Sequence, residues 1–223
     1  HSDYLIADKY VILEKEKDHY KEKIIYIDGI WNSHSGLNID RKYNELPSQN
    51  SETFTLGSFN NFAKVSDDVV KVWSGILKKI KNSRLILKSS VSHSEIHFKN
   101  LLEKEGVLSK VIFKNRSKNF EDHINLYKDI DLCLDTFPYT GVTTTCEALW
   151  MNVPVISLAG FNFNSRCGES ILINSNLKDL VAKNKDDYIS KVVSLANDID
   201  KLKQIRKFIF DEVLKTNTFN TKK

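Results

Sequence analysis

Proline and glycine are scarce in this 223-residue chain, with three and eight copies. That composition excludes collagen-like and low-complexity proteins. Cysteine is also sparse. Cys133, Cys146 and Cys167 form no CxxC pair, and their odd number leaves at least one thiol unpaired. A disulfide framework is therefore not expected, and a reducing, cytoplasmic setting is the simpler reading. No apolar run approaches the roughly 20 residues of a membrane span, and nothing at the start reads as a signal peptide. No excess of one charge is present either: 33 basic and 29 acidic side chains leave +4, with the signs interspersed. No nucleic-acid partner follows from such a balance. No 34-residue repeat occurs. What the chain does have is 41% hydrophobic residues, enough for a substantial core and too many for a disordered segment.

The sequence opens at His1 and reads at once as mid-domain, so a piece of a longer protein is expected. Residues 14–23 are charged and helical in character, and Lys23-Ile-Ile-Tyr-Ile-Asp28 is a short β-branched run. Residues 31–51 are rich in Asn, Ser, Gly and Asp and read as a linker or long loop, which places a domain boundary near residue 50. The pattern then becomes regular. Strands are expected at 53–59, 84–88, 110–113, 131–134 and 153–157. Helices are expected between them, at about 66–80, 95–105, 120–128 and 143–151. Ser66 and Asp67 are placed to cap the first helix and Gly106 to stop the second. Further helices follow at 165–174 and at 185–215, the latter broken near 198–200. Short apolar strands alternating with amphipathic helices predict an α/β fold: a Rossmann-like, doubly wound parallel sheet covered on both faces. Ligands of such sheets bind beyond the carboxyl ends of the strands, so functional residues are sought there.

The strongest candidate follows the fourth of these strands: Asp135-Thr-Phe-Pro-Tyr-Thr-Gly-Val-Thr-Thr-Thr-Cys-Glu147. Three threonines open a helix, whose free amides and dipole attract phosphate. Glu147, one turn on, could accept hydrogen bonds from ribose hydroxyls, or could instead close a capping box with Thr144. The second candidate is Gly57-Ser-Phe-Asn-Asn-Phe-Ala-Lys64, where Lys64 could reach an anion at the sheet edge, or the turn could simply be solvated. Other groups read as structural. His93, Glu95 and His97 lack the order of a zinc-protease helix, and Asp131 and Asp135 have no third ligand, so no metal is expected. Arg166 is expected to pair with a core carboxylate or to cover the cleft. Lys201, Lys203, Arg206 and Lys207 read as one solvated basic face.

Taken together, four segments in order resemble one family over about residues 3–220. They are Gly57–Lys64, Asp131-Leu-Cys-Leu-Asp-Thr-Phe-Pro-Tyr139, Thr143-Thr-Thr-Cys-Glu-Ala-Leu-Trp150 and Val153-Pro-Val155, with Asn82-Ser-Arg-Leu85 and Ser165-Arg166 fitting the same pattern. The chain resembles the C-terminal lobe of the O-GlcNAc transferase and SPINDLY-like glycosyltransferases, family 41. The resemblance implies a GT-B architecture, with residues 1–50 as the remnant of an N-terminal catalytic lobe plus linker and 51–223 as the nucleotide-sugar-binding lobe. It implies that Lys64 and Asn61 meet the donor diphosphate, that Thr143, Thr144 and Thr145 open the phosphate-binding helix, that Glu147 meets the ribose, and that His123 lies beside the base. The donor implied is UDP-GlcNAc, with GDP-fucose as the alternative, and the acceptor a Ser/Thr hydroxyl of a protein or peptide. Lys64 is the residue expected to act on the leaving group. No divalent metal or other cofactor is required if these groups neutralise the departing diphosphate. An upstream lobe, with tetratricopeptide repeats, is the implied partner. The chain departs from the family at Val142, where eukaryotic members carry His and many bacterial ones Gly. Two other readings stay open: a GT-B sugar-nucleotide epimerase, and a nucleotide-binding or interaction module without catalysis of its own.

Overall fold

The computed structural model describes residues 2–88, 93–115 and 117–221. Its first elements, β1 (Tyr4–Ala7) and β2 (Lys23–Tyr26), form a two-stranded parallel sheet of their own. The stretch between them is a 3-10 segment, Glu14–His19, rather than an α-helix; it buries no residue, because its charges leave no apolar stripe to dock.

The main sheet is assembled from the regular half of the chain. In order come β3 (Phe54–Ser58), α1 (Asp67–Lys79), β4 (Ser83–Lys88), α2 (His93–Lys104), β5 (Val111–Lys114), α3 (Phe120–Asn125), β6 (Leu132–Leu134), α4 (Thr143–Trp150), β7 (Val155–Leu158), α5 (Phe163–Asn174), β8 (Val181–Ala182), α6 (Lys185–Asn197) and α7 (Ile199–Glu212). All six strands run parallel in the order β5-β4-β3-β6-β7-β8. The direction of winding reverses between β3 and β6, which opens a crevice at their carboxyl ends. Every residue of β3 and β6 is buried, as continuous apolar strands covered by helices must be.

Helix ends follow the expected chemistry. The Ser66 hydroxyl accepts from the Val69 amide to start α1, and Gly106 ends the segment after α2 at φ +70°. The helix expected to run to residue 128 stops at Asn125 and tightens into a 3-10 turn, Leu126–Asp129, which seats Tyr127 in the core. β8 lacked a sequence signal because only two residues pair.

Two expectations need adjusting. Residues 31–51, read as a linker or long loop, contain no strand or α-helix and run as a strap bonded across the sheet domain. Leu46 lies in the main core. The Arg41 guanidinium donates to the carbonyls of Trp150 (2.7 Å), Ile209 (2.8 Å) and Phe210. The second adjustment is a correction: Arg206 is fully buried rather than part of a solvated basic face. It lies between Leu202 and Ile209 on the inner side of α7 and donates to the carbonyls of Ile130, Asp131, Asn44 and Glu45. Helical period, not charge, set its side: positions 202, 206 and 209 share one face. Among the described residues, no helix is long and apolar enough to cross a membrane.

Candidate functional site at the β3–β6 crevice

Two loops meet at the crevice, one after β3 and one after β6. The β3 loop turns at once because the Asn61 side chain accepts from the Ala63 amide and starts a 3-10 turn, Phe62–Lys64. That turn carries Lys64 over the second loop. Its Nζ donates to the Thr140 carbonyl at 2.9 Å and stands 4.2 Å from the centre of the Tyr139 ring. Burial lowers the Lys64 pKa from its ordinary value, while the nearby Asp135 carboxylate acts to raise it. Among the described residues the ammonium makes this one hydrogen bond, which leaves two donors for an anion.

The β6 loop is organised by Asp135. One carboxylate oxygen accepts from the amides of Thr136 (2.9 Å) and Gly141 (2.7 Å), and the other from the Ser157 hydroxyl at 2.7 Å. Asp135 is buried, and burial pushes its pKa up to about 6 against these hydrogen bonds. The expectation of a structural role for this residue holds, and the role is specific: it closes the turn that ends where α4 begins.

α4 starts without a side-chain cap. Val142 occupies the N-cap, whereas Ser66, Asn119, Asn162, Asn184 and Asp198 each cap their own helix with a side chain. The first-turn amides of α4 are thus left for other acceptors. The capping box between Thr144 and Glu147 does not form. Thr144 Oγ1 instead donates to Asn60 Oδ1 at 3.0 Å, joining the two loops. Thr143 is exposed at the mouth of the crevice, while the Thr145 side chain is buried beneath it.

Glu147 belongs to a buried cluster reaching toward β4. Its Oε2 lies 3.0 Å from His123 Nε2 and 3.1 Å from the Tyr127 hydroxyl. On its other side His123 Nδ1 meets Lys88 Nζ at 3.1 Å. An ammonium can only donate, so Nδ1 is the acceptor and Nε2 carries the proton toward Glu147. Burial holds the Tyr127 phenol well above its usual pKa, and it stays a neutral donor. The seven residues singled out in the sequence thus lie on one edge of the sheet, with Asn61 holding the turn rather than pointing a free amide.

Comparison with known proteins identifies the family to which this arrangement belongs. Residues 32–223 match the model of glycosyl transferase family 41. The chain belongs to that family. It is 35% identical over 213 residues to a probable UDP-N-acetylglucosamine–peptide N-acetylglucosaminyltransferase SPINDLY from Eustoma exaltatum subsp. russellianum, covering 92% of this chain and 23% of that protein. It is 38% identical over 175 residues to the SPINDLY protein of Arabidopsis thaliana, covering 74% and 18%. An O-GlcNAc transferase from Thermobaculum terrenum superposes with a TM-score of 0.89 at 25% identity, covering 98% of this chain and 42% of that one. The chain therefore spans less than a quarter of the curated relatives it matches.

For a family 41 chain, sequence reasoning missed several residues. Tyr127 and Lys88 complete the network and Tyr139 and Thr140 hold Lys64, whereas Asn60, which joins the loops, already belonged to the β3-loop candidate. Both carried a signal: Tyr127 lies one helical turn after His123, and Lys88 ends a strand at the edge where functional residues are sought. Arg166 pairs with Glu16 at 2.9 Å through one guanidinium nitrogen and through the other as well, and donates to the Gly160 carbonyl, so it ties the N-terminal segment to α5. His97 pairs with Asp67, and the His93 side chain lies outside the described residues. Among the described residues, no three His, Cys, Asp or Glu side chains are grouped to hold a metal.

Proposed function

We propose that this chain is the donor-binding lobe of a protein glycosyltransferase that transfers GlcNAc from UDP-GlcNAc to Ser/Thr hydroxyls. The observation that carries the reading is the meeting of Lys64 with the uncapped start of α4 at the β3–β6 crevice. A diphosphate there would receive an ammonium from one loop and backbone amides from the other. When the sugar–phosphate bond breaks, negative charge grows on the leaving phosphate, and donors already aimed at it lower the barrier. Thr143 adds an exposed hydroxyl to the same anion. The Glu147 carboxylate and His123 extend the site toward the nucleoside, where ribose hydroxyls and base would lie.

In this reading residues 1–50 are the end of an upstream lobe and its linker, and 51–223 the donor lobe. Tyr4, Ile6, Ile25 and Ile27 support it: they are exposed on one face of the β1–β2 sheet, where the rest of a lobe would pack. The protein acceptor and its base belong to that upstream part, with tetratricopeptide repeats before it. Three unpaired, buried thiols fit a cytoplasmic protein.

Calorimetric titration of the chain with UDP, UDP-GlcNAc, GDP and GDP-fucose tests the proposal. Binding of UDP and its sugar in preference to the guanosine pair is expected. Preference for GDP would move the donor to GDP-fucose, and failure of both nucleotide pairs to bind would overturn the donor-lobe reading.

A further inference from the structure

We propose that Tyr139 is a positioning residue whose ring seats the Lys64 ammonium over the crevice. Lys64 is half-buried, so its charge has lost part of its water shell. Three groups face it from the elements around it: the Asp135 carboxylate at the end of β6, the Cys167 thiol of α5, and the Tyr139 ring. Cys167 is itself held neutral, its pKa pushed up to about 12 by burial. Asp135 is engaged by two backbone amides, the Asn60 side-chain amide and a hydroxyl. That leaves the Thr140 carbonyl and the aromatic face as the direct partners of the ammonium, at 2.9 Å and 4.2 Å. The electron-rich face of an aromatic ring attracts a cation, and more strongly where water is thinned.

The ring is well placed to act as a fixed seat. The Tyr139 carbonyl accepts from Thr136 Oγ1 at 2.7 Å, and the next residue, Thr140, is pinned to α5 by its hydroxyl, which donates to the Asn164 carbonyl and accepts from the Gly168 amide. The backbone under the ring is held from both sides, while Tyr139 as a residue is 48% exposed. A side chain that served only to fill space would be inside. An anion entering the crevice replaces neither the ring nor the carbonyl, because the ammonium has two further donors. The ring therefore orients Lys64 before and after a ligand arrives.

The consequence for catalysis rests on the donor-binding reading, but the seat itself can be tested without any nucleotide. Proton and carbon NMR of lysine methylenes would follow Lys64 in the chain and in Tyr139→Phe and Tyr139→Leu variants. The ring-current displacement of the Lys64 Cε protons is expected to persist in Y139F and vanish in Y139L. The Lys64 titration should move to lower pH in Y139L only; the Phe variant also removes the phenol's own titration from that range. UDP affinity is expected to fall roughly fivefold in Y139L and to be unchanged in Y139F. In a Lys64→Met background the Y139L change should have no further effect on UDP. An unchanged Lys64 titration in Y139L would overturn the proposal, whatever UDP does. An equal loss of UDP affinity with and without Lys64 would overturn it too, assigning Tyr139 to the ligand. If the chain binds no nucleotide, the donor reading fails while the NMR arm still decides the seat.

Discussion

Lys64 Nζ and the Thr140 carbonyl are 2.9 Å apart although 76 positions separate them in sequence. The bond fastens the loop after β3 to the loop after β6 across the point where the sheet reverses its winding. A cation is thereby held at the start of an α-helix that has no side-chain cap.

Lys64→Ala should remove the charge without unfolding the protein. A half-buried ammonium contributes little to stability, because burial opposes its charged form. In the proposed donor site its value lies in a charge-assisted bond to a diphosphate, worth roughly 1.5–3 kcal/mol, or about ten- to hundredfold in affinity. Calorimetry should show UDP binding weakened by at least tenfold, with a melting temperature close to that of the parent chain. Unchanged UDP affinity would remove Lys64 from the site.

The pH dependence of stability should carry the mark of Asp135. Its pKa rises from 3.8 to about 6 on folding because the carboxylate is buried. A raised folded-state pKa means the native state holds the proton more tightly than the unfolded chain does. The stability it contributes is therefore complete below pH 4 and is lost as pH climbs through about 6. At about 1.4 kcal/mol per pH unit, the loss from this group is roughly 3 kcal/mol by pH 7. Urea unfolding at pH 4.5 and pH 7 should show a larger fall in the parent chain than in Asp135→Asn, which cannot ionise. Equal falls in both would show that Asp135 does not titrate in this range.

Arg206→Leu tests the strap. The guanidinium satisfies the carbonyls of Ile130 and Asp131 beside β6 and of Asn44 and Glu45 in the strap. Leucine fills part of the volume and leaves the buried Ile130 and Asp131 carbonyls without a donor, while those of Asn44 and Glu45 lie nearer solvent. Leaving each buried acceptor unsatisfied costs roughly 1–3 kcal/mol. Burial lowers the Arg206 pKa to about 10, so the arginine remains charged at neutral pH and the cost applies there in full. Denaturant titration should show it, and limited proteolysis should cut residues 32–50 first.

Arg206 also shows where sequence reasoning stops. The alternation of apolar strands and amphipathic helices has a period that can be counted, so the sheet, most of its helices and the Ser66 cap were legible. The crevice was legible too, because strand ends in a parallel sheet point to one edge. A charge count has no such period. Lys201, Lys203, Arg206 and Lys207 look alike in one dimension, and only their angles around α7 separate the buried one. The strap was legible only in part for a related reason: its polar residues read as a linker or long loop, while the bonds from Arg41 run to carbonyls more than 100 positions away. Within the site, Lys64, Thr143 and Glu147 stood out as chemistry at loop ends. Asp135 was visible as a residue but not as the centre of its loop, since Gly141 and Ser157 reach it only in three dimensions.

Gly168→Ala should break that centre from outside. A Cβ on this glycine would stand 2.3 Å from Ser157 Oγ and 2.5 Å from Asp135 Oδ2, the two atoms of a 2.7 Å hydrogen bond. Both belong to short, buried side chains with no room to retreat, so the methyl group must part them. Overpacking of this kind costs roughly 1–3 kcal/mol, before the loss of the hydrogen bond is counted. The disturbance has a direction, because Asp135 also holds the Gly141 amide at the entrance to α4. UDP affinity should fall together with stability, although Gly168 itself lies on α5. Ser157→Ala deletes one of the two clashing oxygens, so G168A should cost less in an S157A background than alone. Simple additivity in that double-variant cycle would show that the methyl group is accommodated elsewhere and that the Ser157–Asp135 bond does not govern the loop.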